Sequence, residues 1–178
     1  TRFEEISEAL NSIPSLSPGL IVGFSLIFAG FAFKLAAVPF HMWAPDVYDG
    51  APISVTAWLA TGSKIVVVAL LVRFLLQGLL PAFSEWQVIV IILSVMSMSV
   101  GNLLALVQTN LKRLMAYSGI GQMGYALLGI AALALVTDQG SFILDNTNAV
   151  VNGLIFHMVA YGISSLAFFY CLIEINSH

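Results

Sequence analysis

Charge is scarce in this chain of 178 residues: six lysines and arginines and nine aspartates and glutamates make up 8% of it, where an ordinary soluble domain carries about 25%. So few ionic groups cannot solvate a water-facing surface around a core of this size, which excludes a soluble globular domain. The net charge of -3 is too small and too scattered to bind nucleic acid. A single cysteine, Cys171, sits inside an apolar run and excludes a disulfide framework. There is no CxxC pair, no cluster of His and Cys and no Gly-rich strand-to-helix turn, so iron-sulfur, zinc and dinucleotide chemistry find no motif here. The chain opens with neither methionine nor a basic-then-apolar leader, and is read as a piece of something longer.

What is present is hydrocarbon. Hydrophobic residues make up 60% of the chain and the mean hydropathy is +0.99. About 20 consecutive apolar residues cross a bilayer as a helix, and five runs qualify: approximately residues 18–41, 53–79, 87–109, 114–136 and 149–173. The expected fold is all-α, a polytopic transmembrane bundle. Residues 1–17 are expected to form a surface helix, with a capping-box pattern at Ser7, and a Ser/Pro linker; residues 18–178 form the bundle. The connections "APDVYDGAP", "LLPAFSEW", "TNLKR" and "TDQGSFILDNTN" carry turn chemistry, so neighbouring spans run antiparallel. Lys112 and Arg113 place their loop, the "PDVYDG" loop and the C-terminus on the cytoplasmic side. Asp46 and Asp49 are expected as solvated turn residues, with Asp46 available to cap the returning helix.

Two lysines interrupt the apolar runs. A charged amine near the middle of a span costs about 2.5 to 3.5 kcal/mol on insertion scales and usually faces a bundle interior or a wet cavity. Burial in low dielectric also weakens an amine's hold on its proton, toward the range where it loads and unloads near neutral pH. Lys34 and Lys64 are therefore candidate proton-relay residues; the alternatives are snorkelling to a headgroup or a structural ion pair. Lys64, roughly a dozen residues into its run, snorkels poorly. Pro39 removes a backbone donor and biases its neighbours away from helix, so "AAVPFHMWAP" is expected to break or kink the first span. Irregular backbone at membrane depth lines a cavity or is buried in protein. His41 follows Pro39 by two positions and is a third relay candidate, with donation to a loop carbonyl as its plainer role. Arg73 reads as an interfacial anchor. His157, set among Asn152, Tyr161, Ser164 and Ser165, reads as a packing histidine before a relay. Tyr117 and Tyr125 mark an interface, Glu174 a span end, and the glycines of the fourth run allow close helix packing.

"GFAFKLAAVPFHMWAPDVYDGAP" followed by "LATGSK", with thirty positions from Lys34 to Lys64, resembles subunit N of NADH-quinone oxidoreductase, the respiratory complex I. Further on, "GNLLALVQTNLKRLMAYSGIGQMGYALLGI" resembles the second hallmark of the antiporter-like subunits, in the right order. The family pattern has Ser or another small residue where Gly119 stands, and often His where Gln122 stands. The resemblance implies a stretch from the seventh to the eleventh helix of a fold of about fourteen, related to the large subunits of multi-subunit cation/proton antiporters. It matches Lys34 to the lysine of a discontinuous seventh helix, Lys64 to the lysine of the eighth helix on a central hydrophilic axis, and His41 to the histidine of "PFH". A glutamate expected on the fifth helix and a lysine on the twelfth lie outside these residues. It further implies a multi-pass protein of an energy-transducing membrane, most simply a prokaryotic plasma membrane. Its partners would be lipid, protons and the other membrane subunits. NADH, or another reduced donor, and quinone would be used elsewhere in the complex, with no cofactor bound by this segment. Two other readings remain: a subunit of a cation/proton antiporter, and a passive membrane anchor.

Overall fold

The computed structural model describes residues 3–12, 18–137 and 143–177, and every regular element among them is helical. In chain order these are α1 (Phe3–Asn11), α2 (Pro18–Leu35), α3 (Trp43–Gly50), α4 (Ile53–Ala60), α5 (Gly62–Gln77), α6 (Phe83–Leu106), α7 (Leu111–Thr137) and α8 (Ile143–Ser177), with a 3-10 turn at Leu80–Ala82 before α6. Among the described residues four stretches are long and apolar enough to cross a membrane: Pro18–Leu35, Ile53–Gln77, Trp86–Leu106 and Asn148–Ile175. The remaining expected run, 114–136, lies within α7, a continuous helix about 40 Å long at 1.5 Å per residue. Gln122, Tyr117, Tyr125 and several glycines dilute its apolar character.

α1 begins at Phe3, so Ser7 lies in its interior and not at a cap. The reason is its apolar face: Phe3, Ile6 and Leu10 recur at helical spacing. Phe3 sets its ring edge-on to Phe74 of α5 at 5.7 Å, while Ile6 and Leu10 join the main core. "PDVYDG" is also helical, as most of α3. Pro45 stands in the first turn, where its missing N–H costs no hydrogen bond, and Asp46 beside it complements the positive end of the helix. The returning helix α4 starts after Pro52 without a side-chain cap, so Asp46 does not cap it.

The main core draws Phe28 and Ala32 from α2, Leu71 and Leu75 from α5, Val90 from α6, Ile130 from α7 and Met158 from α8. On the outside, Val22 and Leu26 of α2, Val66 of α5, and Phe156 and Ile163 of α8 stay exposed, as lipid-facing positions require. α6 and α7 approach closest. A Cβ on Gly101 would lie 2.6 Å from the Gly121 backbone nitrogen, and Ser94 Oγ donates to Gly124 O across the seam at 2.7 Å. Small residues at such a seam let two backbones meet.

Gly124 and Gly129 test this packing against each other. A Cβ on Gly124 would come 2.8 Å from the Met98 backbone nitrogen, whereas one on Gly129 meets only the Leu154 side chain. Gly124→Ala is expected to cost about 1 to 3 kcal/mol by overpacking and Gly129→Ala clearly less, read as the thermal midpoints of the two variants of the full-length protein in detergent.

Candidate functional site

Two interruptions of the spanning helices build the site. The first follows α2. Ala36 takes a left-handed conformation (φ 57°), its amide donates to Phe33 O at 3.0 Å, and the Ala37 amide reaches back to Ala32 O at 2.8 Å. This is a Schellman ending, with alanine at the position that glycine usually holds. The Val38–Pro39 peptide is cis. Side chains meet the backbone of the break: Val38 N–H donates to Ser97 Oγ of α6 at 3.0 Å, and Trp43 Nε1 is a second donor to Phe33 O at 2.9 Å. The expected discontinuity near Pro39 is thus a seven-residue break, 36–42, between α2 and α3.

The second break was not visible in the sequence reading. The span Ile53–Gln77 is divided at Thr61, whose φ of -111° and ψ of -78° stay right-handed but lie well off regular helix values. Thr61 N–H still donates to Ala57 O at 3.1 Å, but Lys64 N–H donates to Thr61 O, also at 3.1 Å, one residue short of its helical partner Ala60. The Ala60 carbonyl accepts instead from Tyr161 Oη of α8 at 2.8 Å. "ATGS" was the available signal: a hydroxyl residue and a glycine in mid-span, which a neighbouring helix can exploit.

Lys64 lies directly after this break. It is 1% exposed, and its Nζ has no hydrogen-bond partner among the described residues. Around it stand the Tyr48 ring of α3, with its centroid 6.0 Å from Nζ, and Gly119 of α7, where an added Cβ would be 3.0 Å from Lys64 Nζ and 3.1 Å from Tyr161 Oη. Tyr48 is fully buried and its hydroxyl is likewise unpartnered. Among the described residues Lys64 neither reaches the surface nor meets an acidic partner.

His41 lies in the first break, buried, with Nδ1 unpartnered. Lys34 occupies the last turn of α2, where a cation complements the helix's carbonyl end, and it is exposed on the outside of the described helices. The two breaks share one small apolar cluster, in which Ala36 and Val38 of the first meet Tyr48, Ala60, Ile120 and Phe169. Lys64 and the His41 segment are therefore packed around a common centre, and Lys34 is the candidate that these helices leave uncovered. Tyr48 and Tyr161 were missed as site residues. Tyr48 was hidden by reading α3 as a loop, while Tyr161 shares a face of α8 with His157 and Ser165 at spacings of four, a pattern open to inspection.

His157 Nε2 lies 3.3 Å from Gln122 O. With Ser118, Gln122, Tyr161, Ser164 and Ser165 it lines a polar groove of about 380 Å³ between α7 and α8. Arg73 is exposed and donates to Gln77 Oε1 at 3.0 Å.

A polar clamp closes the end of α3 onto α7. Arg113 pairs with Asp46, and its Nε reaches Asp49 Oδ2 at 3.3 Å. Lys112 Nζ donates to the carbonyls of Asp49 and Ala51 at 3.1 and 3.0 Å, and Asn110 Nδ2 donates to Asp49 Oδ1 at 2.7 Å. Asp46 and Asp49 are thus partnered, not merely solvated, and the clamp puts the 107–110 connection and the end of α3 on one side of the bundle.

A model of the family described as NADH:quinone oxidoreductase/Mrp antiporter, TM, matches residues 1–178. NADH-quinone oxidoreductase subunit N 1 of Rhizobium meliloti (strain 1021) is 45% identical over 176 residues, which cover 99% of this chain and 34% of that protein. Subunit N of Rhodospirillum rubrum is 49% identical over 132 residues, 74% of this chain and 27% of that protein. Among solved structures, a chain of respiratory complex I from Thermus thermophilus with bound Aureothin superposes with a TM-score of 0.60 at 29% identity, over 92% of this chain and 35% of that chain. The chain spans about a third of the length of the curated relatives it matches.

The clamp separates two kinds of charge. Arg113–Asp46 is an exposed pair, with side chains 37% and 73% accessible, and such pairs contribute about 0.2 to 1 kcal/mol and are screened by salt. Lys112 is half-buried and bonds the last carbonyls of α3, a charged hydrogen-bond contribution of about 1.5 to 3 kcal/mol. Lys112→Ala is expected to lower the thermal midpoint of the full-length protein more than Arg113→Ala, and only the Arg113 effect should fade when salt is raised.

Proposed function

The chain belongs to the NADH:quinone oxidoreductase/Mrp antiporter transmembrane family, and on that premise we propose that it works in the membrane arm of NADH-quinone oxidoreductase, moving protons across the membrane with Lys64 as a buried proton carrier. One observation carries the reading: an amine sealed inside a membrane bundle, beside a break in its own helix, with neither counter-ion nor hydrogen-bond partner among the described residues. A structural lysine would be paired, since an unpaired buried charge is costly to hold. A carrier needs the opposite, an environment in which small changes of local charge or hydration decide whether the proton stays.

In this proposal quinone reduction in other subunits supplies the energy and this segment holds no redox centre. The electrostatic change reaches Lys64, which exchanges its proton with the neighbouring relay groups. Lys34 stands at the carbonyl end of half-helix α2, and His41 lies in the break that follows it. Lys34 serves on the outer side, and the segments by which the relatives exceed this chain would cover its face. His41, with one ring nitrogen unpartnered in a buried break, is placed to pass protons along the irregular backbone. The partners are then the other membrane subunits, the lipid and the protons themselves, and the clamp side of the bundle is cytoplasmic.

The family description also includes antiporters, which supports a second reading in which the same lysines exchange a cation for protons without attached electron transfer. Sodium-dependent proton movement in vesicles, in the absence of a reduced donor, distinguishes that reading.

Lys64→Ala in the intact complex is expected to lower the protons moved per electron at least about twofold, and an unchanged ratio would overturn the carrier role. Replacing Lys34 and Lys64 together by methionine is expected to leave the complex assembled while coupling fails; a passive anchor would retain both.

A further inference from the structure

Tyr161 stands 101 positions from Ala60 in sequence, yet its hydroxyl takes one of the carbonyls that the break at Thr61 releases, while Ser63 Oγ of the same segment takes Leu59 O at 3.3 Å. Without that hydroxyl the Ala60 carbonyl faces apolar surroundings unpaired, at a cost of about 1 to 3 kcal/mol. The regular helical pattern would return the Lys64 amide to Ala60 O and relieve it. The break is therefore a choice between two acceptors for one N–H: Thr61 O while Tyr161 holds Ala60, or Ala60 O once it lets go. Lys64 is the residue whose own backbone makes that choice. Its side-chain tip and the Tyr161 hydroxyl meet over Gly119, which offers hydrogen where any other residue would place a carbon about 3 Å from both. Tyr161 also forms part of the wall of the polar groove between α7 and α8.

We propose that Tyr161 is a positioning residue: by occupying the Ala60 carbonyl it keeps the second span broken and holds Lys64 Nζ at Gly119, on the edge of the α7–α8 groove. Release of that hydrogen bond lets the α4–α5 junction rewind and carries Lys64 away from the groove. This rests on the reading of Lys64 as a proton carrier and adds what sets its place. Tyr161, which lines the α7–α8 groove, stands between that groove and the held amine, and rewinding withdraws the amine from it.

The variant to make is Tyr161→Phe in the intact complex, which keeps the ring packed against its neighbours and removes only the hydroxyl. Titratable groups on the elements around Lys64 are Lys34 of α2, His41 in the first break, Asp46, Tyr48 and Asp49 of α3, Arg73 of α5, Lys112, Arg113, Tyr117 and Tyr125 of α7, and His157, Tyr170, Cys171 and Glu174 of α8; all remain in the variant. The expected result is a shift of about half a unit or more in the pH at which pumping per electron is half-maximal. A structure of the variant should show Lys64 N–H bonded to Ala60 O. Gly119→Ala, which drives a methyl to about 3 Å from both the Lys64 tip and the Tyr161 hydroxyl, is expected to shift the same profile, and it serves if the phenylalanine variant does not assemble. An unshifted profile in the assembled variant, or a break at Thr61 that persists without the hydroxyl, overturns the positioning role while leaving Lys64 as carrier. Normal pumping by Lys64→Ala overturns the carrier reading itself, whatever Tyr161→Phe does.

Discussion

The constraint on which this bundle depends is that backbone polar groups inside a bilayer have no water to turn to. A helix meets it unaided, and a broken helix does not. Each break here is closed by side chains sent from elsewhere: Ser97 of α6 accepts from Val38 N–H, Trp43 donates to Phe33 O, and Tyr161 of α8 donates to Ala60 O. The irregular backbone and the tertiary packing are thus one arrangement. Remove α6 or α8 and the breaks lose the partners that let them exist.

The same arrangement explains where the buried amine sits. The shortened hydrogen bond to Thr61 changes the phase of the helix at this residue, and the small cluster formed by both breaks with α7 and α8 closes round it. The membership of the chain in an ion-moving membrane family gives a context for a charge-bearing group that nothing nearby neutralises, whereas its placement comes from the hydrogen bonding of the backbone.

Much of this was legible in the sequence, for physical reasons that differ from element to element. The spans announced themselves because an apolar run of that length has only one inexpensive environment, and the first break because proline cannot donate. The two lysines stood out against hydrocarbon. α3 was hidden because Pro, Asp and Gly read as a turn, although Pro and Asp in a first turn also suit a helix start. The break at Thr61 was hidden more deeply: Thr, Gly and Ser are each tolerated within a helix, and besides the local Thr61 and Ser63 hydroxyls the interruption draws on one arriving from a residue 101 positions away. Lys34, read from its span as one of a buried pair, is exposed on these helices because it lies with Phe33 on the outer face of α2, while Leu35 and Ala36 beside it are buried.

The seam between α6 and α7 has a mechanical corollary. Where two helices meet through side chains, rotamer changes absorb sliding; where Gly101 faces Gly121 and Ser94 is bonded to Gly124 O, backbone rests on backbone and no such slack exists. The two helices therefore behave as a single stiff spar. Arg113 ties one end of that spar to the carboxylates of α3, and Gln87 Nε2 donates to Ala131 O across the seam at 3.4 Å.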